Sequence, residues 1–163
     1  MKNFEILWLS GSIAVGVFLI SLQHFLFAEV LVLANITDAD LTNWINFLPY
    51  FTSIVIVSAI GATLWWIFRA TTTTYISSRH ALSKKLSWKL RASGLYIFDT
   101  IILAGYSIFK PQSVPVEIFI CFSIFILPFD IAVLYWLPTA IATPRTLRNI
   151  PTGAIKLRNL IGI

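Results

Sequence analysis

A chain of 163 residues that is 58% hydrophobic and only 12% charged, with a mean hydropathy of +0.84, lacks the polar surface to cover a globule in water. Soluble domains carry roughly twice that share of charge. The single cysteine, Cys121, rules out an intrachain disulfide and a cysteine-based metal cluster. The net charge of +5 sits beside the apolar stretches, so anionic lipid is the expected charged partner and direct nucleic-acid binding is not.

The first apolar stretch covers residues 6–34 and exceeds the ~20 residues a bilayer crossing needs. It is predicted to tilt or to begin in the interface near Trp8. It is too long for the core of a signal peptide, so no cleaved leader is expected. Ser10, Gly11, Ser12 and Gly16 would let a second helix approach its inner half. Gln23, His24 and Glu29 make the outer half polar, which suits helix pairing through hydrogen bonds or a proton-linked site.

Residues 35–46 read as a short acidic outer loop, with Trp44 as an interface anchor. A second span is predicted over 48–68, with Pro49 in its first turn and Trp65, Trp66 and Phe68 marking its end before Arg69. The β-branched Thr71–Thr74 run disfavours helix, and a basic loop occupies 69–92. Within that loop Leu82, Leu86 and Leu90 recur every fourth residue while the basic residues fall largely off the stripe. This pattern predicts a short amphipathic cytoplasmic helix over 78–91, lying on lipid or a partner, with Trp88 beside the stripe.

A third span is expected over 93–109, followed by a tight outer turn containing Lys110, Pro111 and Pro115. A fourth covers 116–142, where Pro128 and Pro138 predict a kink or break and Pro144 a stop. The tail 143–163 is basic and is expected to lie along the same face as the loop.

Eleven of the twelve Lys and Arg residues fall at the start, in the loop or in the tail; only Lys110 does not. Basic residues next to spans resist translocation. The predicted fold is therefore all-α: a single polytopic membrane domain, residues 1–163, with four transmembrane helices and both termini inside a bacterial inner membrane.

Asp99 and Asp130 lie within the third and fourth predicted spans, where a carboxylate is costly and usually faces the bundle interior. By helical rise the two could reach similar depth, and two close carboxylates do not ionise together. They could serve packing, through Thr100, Ser123, Tyr135 or a neighbouring helix, or could serve ion, proton or gating chemistry. No basic residue is expected at their depth to neutralise them. His80 belongs to the basic loop, on the opposite side from His24, so bis-histidine haem ligation within the chain is excluded by topology. No cofactor, metal or catalytic residue is expected. Phosphate-loop, HExxH, Gly-x-Ser-x-Gly and cysteine-pair signatures are all missing, so the chain is read as non-enzymatic.

The run from Tyr135 to Ala142, with Leu137, Pro138, Thr139 and Ala142, followed by Arg145, Asn149 and residues 157–162, resembles the Leu-Pro-Thr-x-x-Ala motif of phage superinfection-immunity membrane proteins. The four-span layout is also similar to the membrane subunit of the Kiwa antiphage system. That resemblance implies an oligomerising inner-membrane protein that works with a cytosolic partner in antiviral defence. The surfaces such docking needs are Arg79, Lys84, Lys85, Lys89 and Arg91 in the loop, and Arg145, Arg148, Lys156 and Arg158 in the tail. A small ion channel or proton-coupled transporter using the intramembrane acids, and an accessory subunit of a larger secretion, conjugation or respiratory complex, are the alternatives.

Overall fold

The computed structural model describes residues 3–33, 39–71, 78–109, 116–143, 151 and 153–161. Three long helices come first: α1 (Asn3–Leu33), α2 (Ala39–Thr71) and α3 (Ser78–Phe109). A composite fourth helix follows, built from α4 (Val116–Cys121), α5 (Leu127–Ile131) and α6 (Leu137–Ala142), with one π-helical segment before α5 and another before α6. A short α7 (Ala154–Ile161) completes the chain, and no strand occurs among the described residues.

Contacts between the helices fix their directions. Asn43 and Ser58 of α2 meet Tyr106 and Asp99 of α3 in reverse order. Gly16 of α1 lies against Leu134, while His24 lies against Phe122. Phe51 and Thr63 of α2 meet Phe122 and Leu134 in the same order. The bundle therefore runs up, down, up, down. The starts of α1 and α3 share one end with the ends of α2 and α6, and every described Lys and Arg side chain lies toward that basic end.

Among the described residues three segments are long and apolar enough to cross a membrane: Ile6–Val30, Thr42–Ala70 and Ile118–Ala142. α3 does not meet that measure over its described residues, and its first half carries Lys84, Lys85, Lys89 and Arg91. The expected separate amphipathic helix over 78–91 is not found. Ser93 and Gly94 do not interrupt the helix, so the leucine stripe and the following apolar half form one rod of 32 residues. Leu82, Leu86 and Leu90 are exposed, whereas Trp88 is buried against the bundle.

α2 also begins earlier than expected, at Ala39, which puts Pro49 in its interior rather than its first turn. Trp44 is not an interface anchor. It is fully buried and packs against Phe47, Tyr106 and Phe122, because the extra turns of α2 remain in contact with α3 and the fourth helix. Thr71 does end α2 and Ser78 does open α3. The proposed outer turn around Lys110, Pro111 and Pro115 lies outside the described residues, as do Pro144 and residues 35–38, while residues 39–46 of the expected loop are helical.

Pro128 and Pro138 neither break nor end the fourth helix. Each follows a π segment, Phe122–Ile126 and Ala132–Trp136 respectively. Proline has no N–H to give the carbonyl four residues back and its ring crowds that carbonyl. Widening the preceding turn relieves the crowding: Leu127 and Leu137 instead donate to carbonyls five residues back, on Phe122 and Ala132. The chain continues at the cost of irregular backbone that neighbouring helices must satisfy.

A buried His–Asp centre and its groove

The polar interior residues come from four elements. α1 turns His24 inward, α2 supplies Thr52 and Ser58, α3 supplies Asp99, and α5 supplies Asp130. His24, Asp99 and Asp130 are all buried.

His24 Nε2 lies 3.1 Å from Asp130 Oδ2, and His24 Nδ1 lies 2.6 Å from Thr52 Oγ1. Thr52 places its one hydroxyl hydrogen on the Leu48 carbonyl at 2.7 Å, so its oxygen must accept. Nδ1 of His24 therefore carries a hydrogen and donates it. One further proton then occupies the contact between Nε2 and Asp130, giving either imidazolium with carboxylate or imidazole with carboxylic acid. Without that proton two acceptors would face each other at 3.1 Å, and the hydrogen bond between His24 and Asp130 would be lost. The Phe122 ring closes the pair off, with its centroid 5.0 Å from that of the imidazole.

The expectation that nothing basic reaches the depth of the acids is thereby corrected. His24 partners Asp130, because α1 packs against the fourth helix with its polar face inward. Asp99 is held separately, by Ser58 Oγ at 3.4 Å. Its helix packs on α5, but no hydrogen bond joins Asp99 to Asp130. Neither Thr100 nor Ser123 is bound to the acids, and Tyr135 donates instead to the Trp88 carbonyl. Asp99 Oδ2 and Asp130 Oδ1 remain buried without a partner.

Glu29 is exposed, five residues along α1 from His24, and both line a groove of about 460 Å³ between α1 and α2. Phe25, Ala28, Ile45, Leu48 and Ile56 form much of its apolar wall. By helical rise Glu29 lies ~7.5 Å farther toward the end of α1 than His24.

Residues singled out for docking separate into different environments. Lys89 and Lys156 are exposed, and Lys84 and Lys85 half-buried. Arg91 is half-buried with its guanidinium 5.9 Å from the Trp66 ring centroid. Arg158 is not available as a docking side chain: it is buried and donates through Nη2 to the Ile141 carbonyl in the last turn of α6. A helix end leaves its final carbonyls without intrahelical partners, and α7 folds back to supply one. The side chains of Arg79, His80, Arg145 and Arg148 lie outside the described residues.

The Leu-Pro-Thr segment organises the basic end. Thr139 Oγ1 accepts from the Trp88 indole at 3.1 Å and donates to the Tyr135 carbonyl at 2.6 Å. Tyr135 stacks on Trp88, with centroids 5.5 Å apart. Trp66 donates to Thr143 at 3.2 Å beside them.

No protein-family model matches the chain, and neither a curated protein nor a solved structure is significantly similar to it. What fold and site together define is an all-helical bundle with membrane-length apolar helices and a buried imidazole–carboxyl pair.

Proposed function

We propose that the chain is a small proton-coupled transporter of four transmembrane helices, in which the His24–Asp130 pair is the proton-binding centre. The observation that carries the reading is the pairing itself, a hydrogen-bond contact between α1 and α5 that can form only while one proton is held between the two side chains. Binding and releasing that proton would open and close a helix contact, which is the element a coupled carrier needs. The residue 93–109 half of α3 completes the third span. In this reading the basic end and both termini face the cytoplasmic side of a bacterial inner membrane.

The test is proton flux into liposomes carrying the purified protein under an imposed pH gradient. Asp130→Asn should abolish flux above that of empty vesicles, while Lys89→Gln should leave it intact. Flux unchanged in Asp130→Asn would remove the pair from the mechanism.

A second reading is favoured by a different observation. Leu82, Leu86 and Leu90 form an exposed stripe at the basic end, near exposed Lys89. Such a face suits an oligomerising, non-enzymatic subunit that docks a cytosolic protein, as in antiviral defence, or rests on the anionic leaflet. Co-purification of a cytosolic protein, lost in Lys84→Glu/Lys85→Glu, would support the docking form. Binding to anionic liposomes without any co-purifying protein would favour the lipid form.

A further inference from the structure

We infer that the groove between α1 and α2 is a binding site for a lipophilic organic cation, with Glu29 as its counter-ion. The inference deepens the transporter reading by naming a substrate class, and it rests on that reading only for the link to proton movement.

Three features of the groove select this chemistry. Its volume of about 460 Å³ lies in the range of small-molecule sites, and its wall is mostly apolar, with the Phe25 ring among its residues. A cation near an aromatic face is stabilised by the ring quadrupole. Its polar complement is acceptor-rich. Among the described residues that line the groove, Glu29 carries the only formal charge apart from His24, and it has no ion-pair partner among the described residues. The Ser53 hydroxyl hydrogen is spent on the Pro49 carbonyl, leaving its oxygen to accept. Pro49 has no N–H to offer the Ile45 carbonyl, and both residues line the groove. Finally, no Lys or Arg among the described residues lines it, and both ring nitrogens of His24 are already engaged.

Position adds to selection. Glu29 lies near the end of the apolar segment Ile6–Val30, where a cation can arrive from water before its apolar body slides inward. The His24–Asp130 pair stays at net zero charge in either of its one-proton forms, so Glu29 supplies the negative charge that the described residues bring to the groove.

The experiment compares tetraphenylphosphonium with tetraphenylborate, which share a shape and differ in sign. Each is titrated by equilibrium dialysis into the full-length protein in neutral-lipid nanodiscs, against empty discs. The chain's net charge of +5 would by itself favour the anion. The cation is expected to bind more tightly than the anion. Glu29→Gln should weaken the cation roughly fivefold to tenfold, the scale of one partly exposed charge pair or somewhat more. Ser53→Trp, which fills the groove, should weaken it comparably. Equal binding of the two ions, or a cation preference that survives Glu29→Gln in a normally folded protein, overturns the site. Proton flux measured without the cation reports separately on the His24–Asp130 centre, so either reading can fail alone.

Discussion

Thr63 on α2 donates its hydroxyl to the carbonyl oxygen of Leu134 at 2.7 Å, and Leu134 is the residue whose carbonyl Pro138 cannot serve. The proline therefore creates a vacancy in the fourth helix that a neighbouring helix fills. Both residues are fully buried, so water is not a ready substitute. Thr63→Val should lower stability by ~1–3 kcal/mol, the cost of a buried acceptor left unmade. In a Pro138→Ala background the helix regains its own donor, and the same Thr63 substitution should then cost less. Thermal unfolding in detergent across the four proteins checks this; equal costs in both backgrounds would refute the pairing.

The side chain of Leu134 packs between α1 and α2, in one cluster with Ile20 and Ala59, and reaches Gly16. A Cβ built on Gly16 would lie 2.7 Å from Leu134 Cδ2 and 3.2 Å from Val133 Cγ1. Leu134 is fully buried and cannot swing away freely. Gly16→Val should therefore cost ~1–3 kcal/mol through overpacking. Gly11, from the same cluster of small residues, has open space around its position, and Gly11→Val should stay within ~0.5 kcal/mol. Thermal unfolding distinguishes the two. If Gly11→Val proves the more damaging, a contact between copies of the chain covers that side of α1.

Arg158 and Lys156 test whether the tail is structural or free. Arg158→Ala leaves the end of α6 without its donor and should lower stability by ~1.5–3 kcal/mol, the range for a hydrogen bond from a charged group. Lys156→Ala, on the exposed side of α7, should stay within ~0.5 kcal/mol. Gly153 supports this fold-back: its φ of 85° lets the chain turn into α7 from Pro151, whose carbonyl accepts from Ala154. Hydrogen exchange in α7 should speed up selectively in Arg158→Ala.

The three long apolar segments and the shared end of the described basic residues were legible because hydropathy and charge act over many residues, whereas the merging of 78–91 with 93–109 and the α7 helix were not. Rotation about each helix axis was not legible. α1 is apolar nearly all round, so nothing in its periodicity says that His24 rather than Phe25 turns inward. Asp99 and Asp130 could be placed in depth, but their partners depended on that rotation. A census of polar residues held the missed signal: His24 of the first span and Asp130 of the fourth lie at comparable depths in an antiparallel pair. The proline effect was half legible. Pro138 announced a lost hydrogen bond, yet whether the chain breaks or widens depends on Thr63, 75 positions away in sequence. Trp44 misled because an aromatic residue beside a polar loop marks an interface when the helix stops there, and α2 does not stop.

The pair His24–Asp130 allows the sharpest energetic test, because its two members depend on each other for satisfaction. Removing one leaves the other's polar atom in a dry interior, and breaking such a pair costs ~3–5 kcal/mol. His24→Leu and Asp130→Leu should each approach that loss. The double substitution removes both polar groups and should cost clearly less than the two combined. Nitrogen-15 chemical shifts of His24 give an independent readout: Nδ1 should be protonated in the native protein, fixed by Thr52. In Thr52→Val that acceptor is gone, so the Nδ1–H tautomer should lose its preference while the Asp130 contact persists. Additive energies together with an unchanged tautomer would mean that the two side chains are neighbours without sharing a proton, and the centre would then be packing alone.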